Sequence, residues 1–436
     1  MKILLINPPN SGRSIPEEEF GITSIKLIFR GEPLALETLA GNLPGHDVVI
    51  ADLKADPHCL ENILEDFGRP DIVGLTGVTC EANAVLSLAR DIKKRCRPDN
   101  PVTVVGGHHA SCDPGYFNRE HIDFVVTGLG KATFANLVHH LEQKKSPDRI
   151  PGLARVRKGR PLAINPKRYS TEDIVDTMPP RYDLVADYRD RYVMSGVGGK
   201  VGFVSTAFGC THCCSFCTIP SLTGGRYISH SCESILRDID MLEDVSLIRF
   251  VDANTFGDIA MARELAQTLI DRGIKKRFVA DVRADTVVNH PQIMKLWAEA
   301  GLVSVVIGFE EINDDRLAML NKKSTNRANI KALEILKELD IRVIGDFIIS
   351  PDYGYEEFEA LDNFINYYQI DLPVPSILTP IPGTPLHRRL KNEIAITDLD
   401  YYTFSNAVLP TQLSRKAFYT TYSAIMKKLH SHIKNS

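Results

Sequence analysis

Long apolar runs are missing from this chain. No stretch of its 436 residues reaches the ~20 apolar residues that a membrane-spanning helix needs. The opening MKILLINPPN has one lysine and an apolar run too short for a secretory signal, so a cytoplasmic protein is expected. A surplus of one charge is missing as well. The 51 Lys and Arg against 55 Asp and Glu leave a net charge of −4, and without a basic excess no broad nucleic-acid surface is expected. Internal repeats and low-complexity tracts do not stand out, which argues against a repeat array. Nine cysteines in a chain of this length do not make a disulfide framework. What remains is an ordinary soluble composition, 44% hydrophobic and 24% charged, and long enough for two or more cores.

The pattern divides the chain into four parts. Over residues 1–145, short apolar runs at Lys2–Asn7, Val48–Asp52, Ile72–Gly77, Val102–Gly107 and Phe124–Gly128 alternate with helical patterns at Pro33–Asn42, Cys59–Phe67, Glu81–Cys96 and Lys131–Gln143. That alternation predicts an α/β, doubly wound, flavodoxin-like domain with ligands at the carboxyl ends of its strands. Residues 146–195 are rich in Pro, Arg, Asp and Tyr and read as a linker that wraps. Over 196–397 strand candidates recur at Val201–Ala207, Leu247–Asp252, Arg277–Val282, Ser304–Phe309, Val343–Ile349 and Ser376–Thr379, with helices at Cys232–Leu242, Met261–Arg272, Pro291–Ala300, Ala328–Leu339 and Tyr355–Tyr368. Six such repeats predict a partial (β/α)6 barrel of the TIM type, with its chemistry at the carboxyl ends of the strands. Residues 398–436 read as a helical cap.

Four of the nine cysteines fall in Gly209-Cys210-Thr211-His212-Cys213-Cys214-Ser215-Phe216-Cys217, directly after a predicted strand. Clustering of this kind in a cytosolic protein indicates metal or redox chemistry. Two registers compete. All four thiolates as two C-x2-C pairs would suit a structural zinc in a protein without catalysis, but the adjacent side chains of Cys213 and Cys214 diverge, which argues against it. The other register is C-x3-C-x2-C, through Cys210, Cys214 and Cys217, with Cys213 spare. Three thiolates on a four-iron cubane leave one iron open.

That register, with the aromatic Phe216 before its last cysteine, resembles the signature of the radical S-adenosylmethionine (SAM) superfamily. The resemblance implies a [4Fe–4S] cluster on Cys210, Cys214 and Cys217, with SAM on the open iron. Further positions are similar to the family's SAM-holding groups: Phe216, Asp252 in Val251-Asp252-Ala253-Asn254-Thr255-Phe256, Arg283 after the third strand, and Glu310 in Gly308-Phe309-Glu310. Ala253 departs from the second acid of the D-D-x-F pattern. The stretch from Thr379 to Leu386 is close to T-P-x-P-G-T-P-L. An ordinary ion pair between Arg283 and Glu310 is the plainer reading of those two residues.

A doubly wound domain ahead of such a barrel resembles the cobalamin-binding branch. Its strand-end loops supply the candidate cobalamin contacts: Asn7 and Pro8; Thr76, Gly77, Val78 and Thr79; Gly106, Gly107, His108 and His109; Gly128, Leu129 and Gly130. Glycines there permit close backbone approach. No D-x-H-x-x-G segment is present, so His108 and His109 are expected to be pocket walls and not cobalt ligands. The branch's usual G-E-G-E is Gly128-Leu129-Gly130-Lys131 here, with both acids lost.

The resemblance implies a methyltransferase that modifies an unactivated carbon by means of a 5′-deoxyadenosyl radical and methylcobalamin, with no acid–base residue beyond the cofactor ligands. An electron donor such as flavodoxin or ferredoxin is implied. The segment Tyr192–Lys200 and the general layout look similar to hopanoid C-3 methylase-like members, which would imply a polycyclic lipid; otherwise the substrate is a small molecule. Apolar residues at helical spacing across Lys416–Lys434 could touch a membrane surface, or pack on the barrel. Two alternatives share the architecture: a ring cyclase of the anaerobic porphyrin type, and an RNA methylthiotransferase, which needs more N-terminal cluster cysteines than this chain offers.

Overall fold

The computed structural model describes residues 1–23, 29–98, 100–169, 178–194, 197–198 and 200–430. Strand β1 (Lys2–Asn7) is buried from Ile3 onward, as an uninterrupted apolar run is in a sheet covered on both faces. It pairs in parallel with β2 (Asp47–Asp52) and β3 (Ile72–Leu75); β4 (Val102–Val105) and β5 (Phe124–Val126) extend the sheet to the order 2-1-3-4-5. Helices α1 (Leu34–Gly41), α2 (Cys59–Phe67), α3 (Ala82–Arg95), α4 (His108–Cys112) and α5 (Lys131–Glu142) follow these strands. Ile3 and Leu5 pack in one core with Leu36 and Phe134, whereas Leu4 and Ile6 pack in another with Val85 and Ile92. This is the expected doubly wound domain.

The segment read as a linker is built into both halves. Its β6 (Leu153–Arg155) adds an antiparallel edge to β5. A 3-10 run, Tyr182–Arg191, precedes Val193–Met194, which pairs with Phe29–Arg30. Arg189 forms a buried ion pair with Glu32, whose other oxygen accepts from the Phe203 amide at 3.3 Å, and the Tyr192 hydroxyl donates to Asp52 at 3.0 Å. Breaking a buried pair of this kind is costly, so the segment fastens the halves together. The expected boundary at 195/196 lies outside the described residues.

The second sheet runs β7 (Val201–Val204), then, past a hairpin of β8 (Ala207–Gly209) and β9 (Tyr227–Ser229), β10 (Leu247–Phe250), β11 (Arg277–Asp281), β12 (Leu302–Glu310), β13 (Arg342–Ile349) and β14 (Leu372–Ile377). The six strands β7, β10, β11, β12, β13 and β14 are parallel neighbours in that order, forming the partial barrel. Helices α6 (Cys232–Asp240), α7 (Ile259–Asp271), α8 (Pro291–Ala300), α9 (Asn326–Glu338) and α10 (Tyr355–Tyr368) pack outside it. Phe250 and Phe278 stack at 5.4 Å and meet Trp297 of α8 edge-on; its buried indole N–H donates to the Ala262 carbonyl at 3.0 Å.

Two sequence expectations change, and of the two readings of the C-terminal segment the packed one holds. The strand expected over Val201–Ala207 stops at Val204, because Ala207 begins the hairpin. Strand β14 begins at Leu372 and not at Ser376; Pro373 and Pro375 mask it, and prolines are tolerated because β14 is a sheet edge. The C-terminal helix α11 (Arg415–His430) buries Phe418, Tyr419, Tyr422, Ile425 and Met426, and the Tyr422 hydroxyl donates to the Pro375 carbonyl at 3.1 Å. That apolar face covers the edge strand and is not offered to a membrane. Ile433 lies outside the described residues. No helix among those described is long and apolar enough to cross a membrane.

Candidate functional site

The carboxyl ends of the first sheet face the carboxyl ends of the second across a cavity of about 320 Å³. On one side it is lined by Leu34–Leu36 and Leu39 of α1 with Thr76, Gly106, Gly107, His108 and Gly128–Gly130; on the other, by Ser205, Ala207–Gly209, Leu222, Val251 and Ala253. The glycines are there for space. Gly107 has φ +91°, and a Cβ on it would lie 2.3 Å from Thr76 Oγ1; Gly128 has φ +71°, and its Cβ would lie 2.3 Å from the Tyr169 hydroxyl. Those two positions are bare because side chains cannot stand there, and this leaves a flat, largely apolar wall. His108 is exposed to the cavity yet ringed by protein, and that enclosure lowers its pKa.

Not every expected loop residue reaches this wall. Asn7 is buried, with its amide donating to Asp52 at 2.8 Å, and Pro8, Gly77, Val78 and Thr79 are not among the lining residues. His109 is a correction: it is fully buried behind the loop, 3.2 Å from Thr79 Oγ1 and edge-on to Tyr116 and Phe117, and burial pushes its pKa down to about 4. It is a core residue. Sequence reading missed the α1 wall, and also Tyr169 and Lys167, which lie against the Gly128–Gly130 loop.

The cysteine loop leaves β8 and rests on the barrel rim. The Ser215 amide donates to the Leu320 carbonyl at 2.9 Å, the Leu386 amide donates to the Ser215 carbonyl at 2.8 Å, and Asn321 donates to the Cys213 carbonyl at 2.8 Å. A turn brings the Cys217 amide to the Cys214 carbonyl at 3.2 Å. Cys214 is buried, Cys210 and Cys217 are half-buried, and Cys213 is exposed. Burial pushes the Cys217 thiol up to about 12, with Cys214 and Cys210 close enough to add to it; burial also raises Cys214, again with Cys210 nearby. These three thiols sense one another, which is the donor set a cubane requires. Among the described residues no three His, Cys, Asp or Glu side chains converge as a single ion would require; thiolates on a cubane bind different irons and need not converge on one point.

The four expected SAM contacts have specific surroundings. Both oxygens of Asp252 serve the loop that leads to the cysteines. They accept from the amides of Thr206 and Ala207 at 2.7 and 2.9 Å, from the Thr206 hydroxyl at 2.6 Å and from the Ser205 hydroxyl at 3.3 Å. Arg283 grips Asp285 in bidentate fashion at 2.9 and 3.0 Å and donates to the Lys322 carbonyl at 3.1 Å. Glu310 pairs with buried Lys322 at 2.7 Å, so Arg283 and Glu310 are not partners of each other. Burial works against charge on Lys322, but Glu310 outweighs it and raises the lysine pKa. Glu310 follows a register shift in β12 and has φ +65°, a costly conformation for a glutamate that the surrounding structure imposes. Phe216 is half-buried between the cysteines. The Thr379–Leu386 loop closes the rim: Gly383, at φ +86°, approaches α4 so closely that a Cβ would lie 2.3 Å from the Cys112 carbonyl.

Comparison with known proteins accords with this architecture. The radical SAM superfamily matches residues 204–365, and the B12 binding domain matches residues 22–138. An uncharacterized methyltransferase of Pyrococcus horikoshii is 30% identical over 99% of this chain and 88% of its own length. The hopanoid C-3 methylase of Methylococcus capsulatus is 28% identical over 90% of this chain and 75% of its own. The structure of the radical S-adenosylmethionine methyltransferase TsrM from Kitasatospora setae, with cobalamin and a [4Fe-4S] cluster bound, has the same fold: TM-score 0.73 at 18% identity, covering 98% of this chain and 90% of that one. With a cobalamin-binding domain facing a cysteine-bearing partial barrel, the chain belongs to the cobalamin-binding branch of the radical SAM enzymes, whose cofactors are a [4Fe–4S] cluster, SAM and cobalamin.

Proposed function

We propose that this enzyme transfers a methyl group to an unactivated carbon of a small-molecule or lipid substrate. The observation that carries the reading is a cavity bounded by glycine-bared loops on one side and the rim leading to the cysteine loop on the other. When bound, the cluster and SAM supply a radical able to take hydrogen from a C–H bond, and cobalamin supplies the methyl group.

The chain's own residues do the rest. Cys210, Cys214 and Cys217 hold three irons, and Cys213 stays outside the set. Asp252 fixes the loop that presents them and acts as a positioning residue. Glu310, Lys322 and Arg283 form the SAM rim, where paired charges are held in place before the ligand arrives. Thr76, Gly106, Gly107, His108 and Gly128–Gly130 bound the cobalamin cradle, with His108 as wall. The aliphatic lining of α1 keeps water out. The hopanoid C-3 methylase relative makes a lipid one candidate, and a donor of the flavodoxin or ferredoxin class would reduce the cluster.

The test is anaerobic incubation of the reconstituted enzyme with cobalamin, methyl-labelled SAM, reductant and a cell extract. Label in a product, with 5′-deoxyadenosine and S-adenosylhomocysteine both formed, is expected. Deoxyadenosine without methyl transfer would instead favour ring closure of the cyclase kind.

A further inference from the structure

The inner face of the barrel sheet carries two carboxyls that none of these roles uses, Asp281 and Asp346. Register fixes which side chains share that face. Arg249 on β10 is opposite Val279. Two residues on, Asp281 is opposite Val306. Two residues on again, Gly308 is opposite Asp346 on β13. Side chains alternate along strands, so Arg249, Asp281 and Asp346 project from one face. The other face is the helix-covered one, where Phe250 and Phe278 meet Trp297 and Phe347 meets Phe364 of α10. Asp346 therefore points into the barrel.

The neighbouring charges cancel and leave Asp346 over. Arg249 is ion-paired with Asp281, and Lys322 with Glu310. Glu310 folds back over Gly308: a Cβ there would lie 2.3 Å from Glu310 Oε1 and 2.9 Å from Lys322 Nζ. Gly308 is the cross-strand neighbour of Asp346, so the aspartate stands beside the SAM rim. Among the described residues its carboxyl has neither a hydrogen bond nor an ion pair. Enclosure, with Glu310 and Asp281 nearby, pushes its pKa up to about 8, so near neutrality it keeps its proton. In that state it offers one donor and one acceptor. The side chain is half-buried, so its oxygens can be reached by a ligand that enters the barrel.

We propose that Asp346 is a specificity-determining residue, placed at the polar end of the substrate subsite, where it takes a hydroxyl or amino group of the substrate. The proposal rests on the methyltransferase reading and narrows it: the acceptor is a small molecule or lipid bearing a hydrogen-bond donor, not a bare ring hydrocarbon.

Ligand-observed NMR on the full-length protein tests it with three probes of one skeleton: methylcyclohexane, cyclohexylmethanol and cyclohexylmethylamine. The alcohol or the amine binds more tightly than the hydrocarbon, and Asp346→Leu weakens that binding about tenfold. Asp346→Asn, which still donates and accepts, holds the alcohol within about threefold and keeps the test decisive if the leucine variant does not fold. Equal binding of all three probes, binding of none, or donor binding unchanged in Asp346→Leu would overturn the proposal. So would a tenfold loss of SAM affinity in that variant with donor binding intact, which would place Asp346 on SAM. The parent reading fails separately: a wild-type holoenzyme that binds the donor probes but never moves a labelled methyl group is no methyltransferase, while the Asp346 assignment stands.

Discussion

The two rims of the cavity are made in opposite ways. The N-terminal rim works by subtraction: Gly107 and Gly128 take positive φ so that backbone and not side chain forms the wall. The barrel rim works by addition: Asp252, Arg283, Glu310 and Lys322 are charged, buried and each fastened to a named partner. A bare wall accepts a large ligand and does little to it. A rim of fixed charges costs desolvation but holds a small charged ligand in one pose. Cobalamin and SAM ask for just these two surfaces.

Cysteine substitutions should break this contrast most sharply. Cys214→Ala should reduce SAM cleavage by more than about a thousandfold, since the cubane loses a ligand, whereas Cys213→Ala should leave it within about twofold; deoxyadenosine formation under dithionite is the measurement. The reverse result would overturn the chosen register. Next is Asp252→Ala, which strands two loop amides and two hydroxyls and should cost roughly 2–4 kcal/mol, seen as a lower Tm together with reduced iron content.

How much of this was legible in the sequence differs between the rims. The spacing of Cys210, Cys214 and Cys217 is local, and so are the apolar periods that place Lys2–Asn7, Pro291–Ala300 and Tyr355–Tyr368 with the same limits as in the structure. The glycines, too, announce bare turns. Partnership is not local. Nothing near Asp252 in sequence shows that its oxygens serve residues 205–207, and nothing in Asn321-Lys322-Lys323 marks Lys322 as the buried partner of Glu310. The antiparallel β6 and the Glu32–Arg189 tie are likewise long-range pairings without a periodic signal. His109 looked like its neighbour His108 because adjacent residues share a motif but not a direction.

Smaller effects sharpen the N-terminal side of the comparison. Because His109 titrates near 4 when folded and near 6.5 when unfolded, it favours folding above about pH 6.5, and that contribution is lost as pH falls toward 4, by up to about 3 kcal/mol. Denaturant unfolding at pH 7 and pH 4.5 should show the loss, and His109→Phe should flatten it. Gly107→Ala should weaken cobalamin binding about tenfold with iron content unchanged, by visible titration of the cofactor. If the iron content fell in parallel, the two rims would not be separable.

The contact between Gly383 and the Cys112 carbonyl has a consequence for how such proteins can be recombined. A hybrid that takes its first 145 residues from a relative and the remainder from this chain inherits a seam in which one main chain rests on another, with no side chain to cushion a mismatch. Such hybrids should succeed only when the parents share the same backbone path at both points, so the halves are expected to have diverged together.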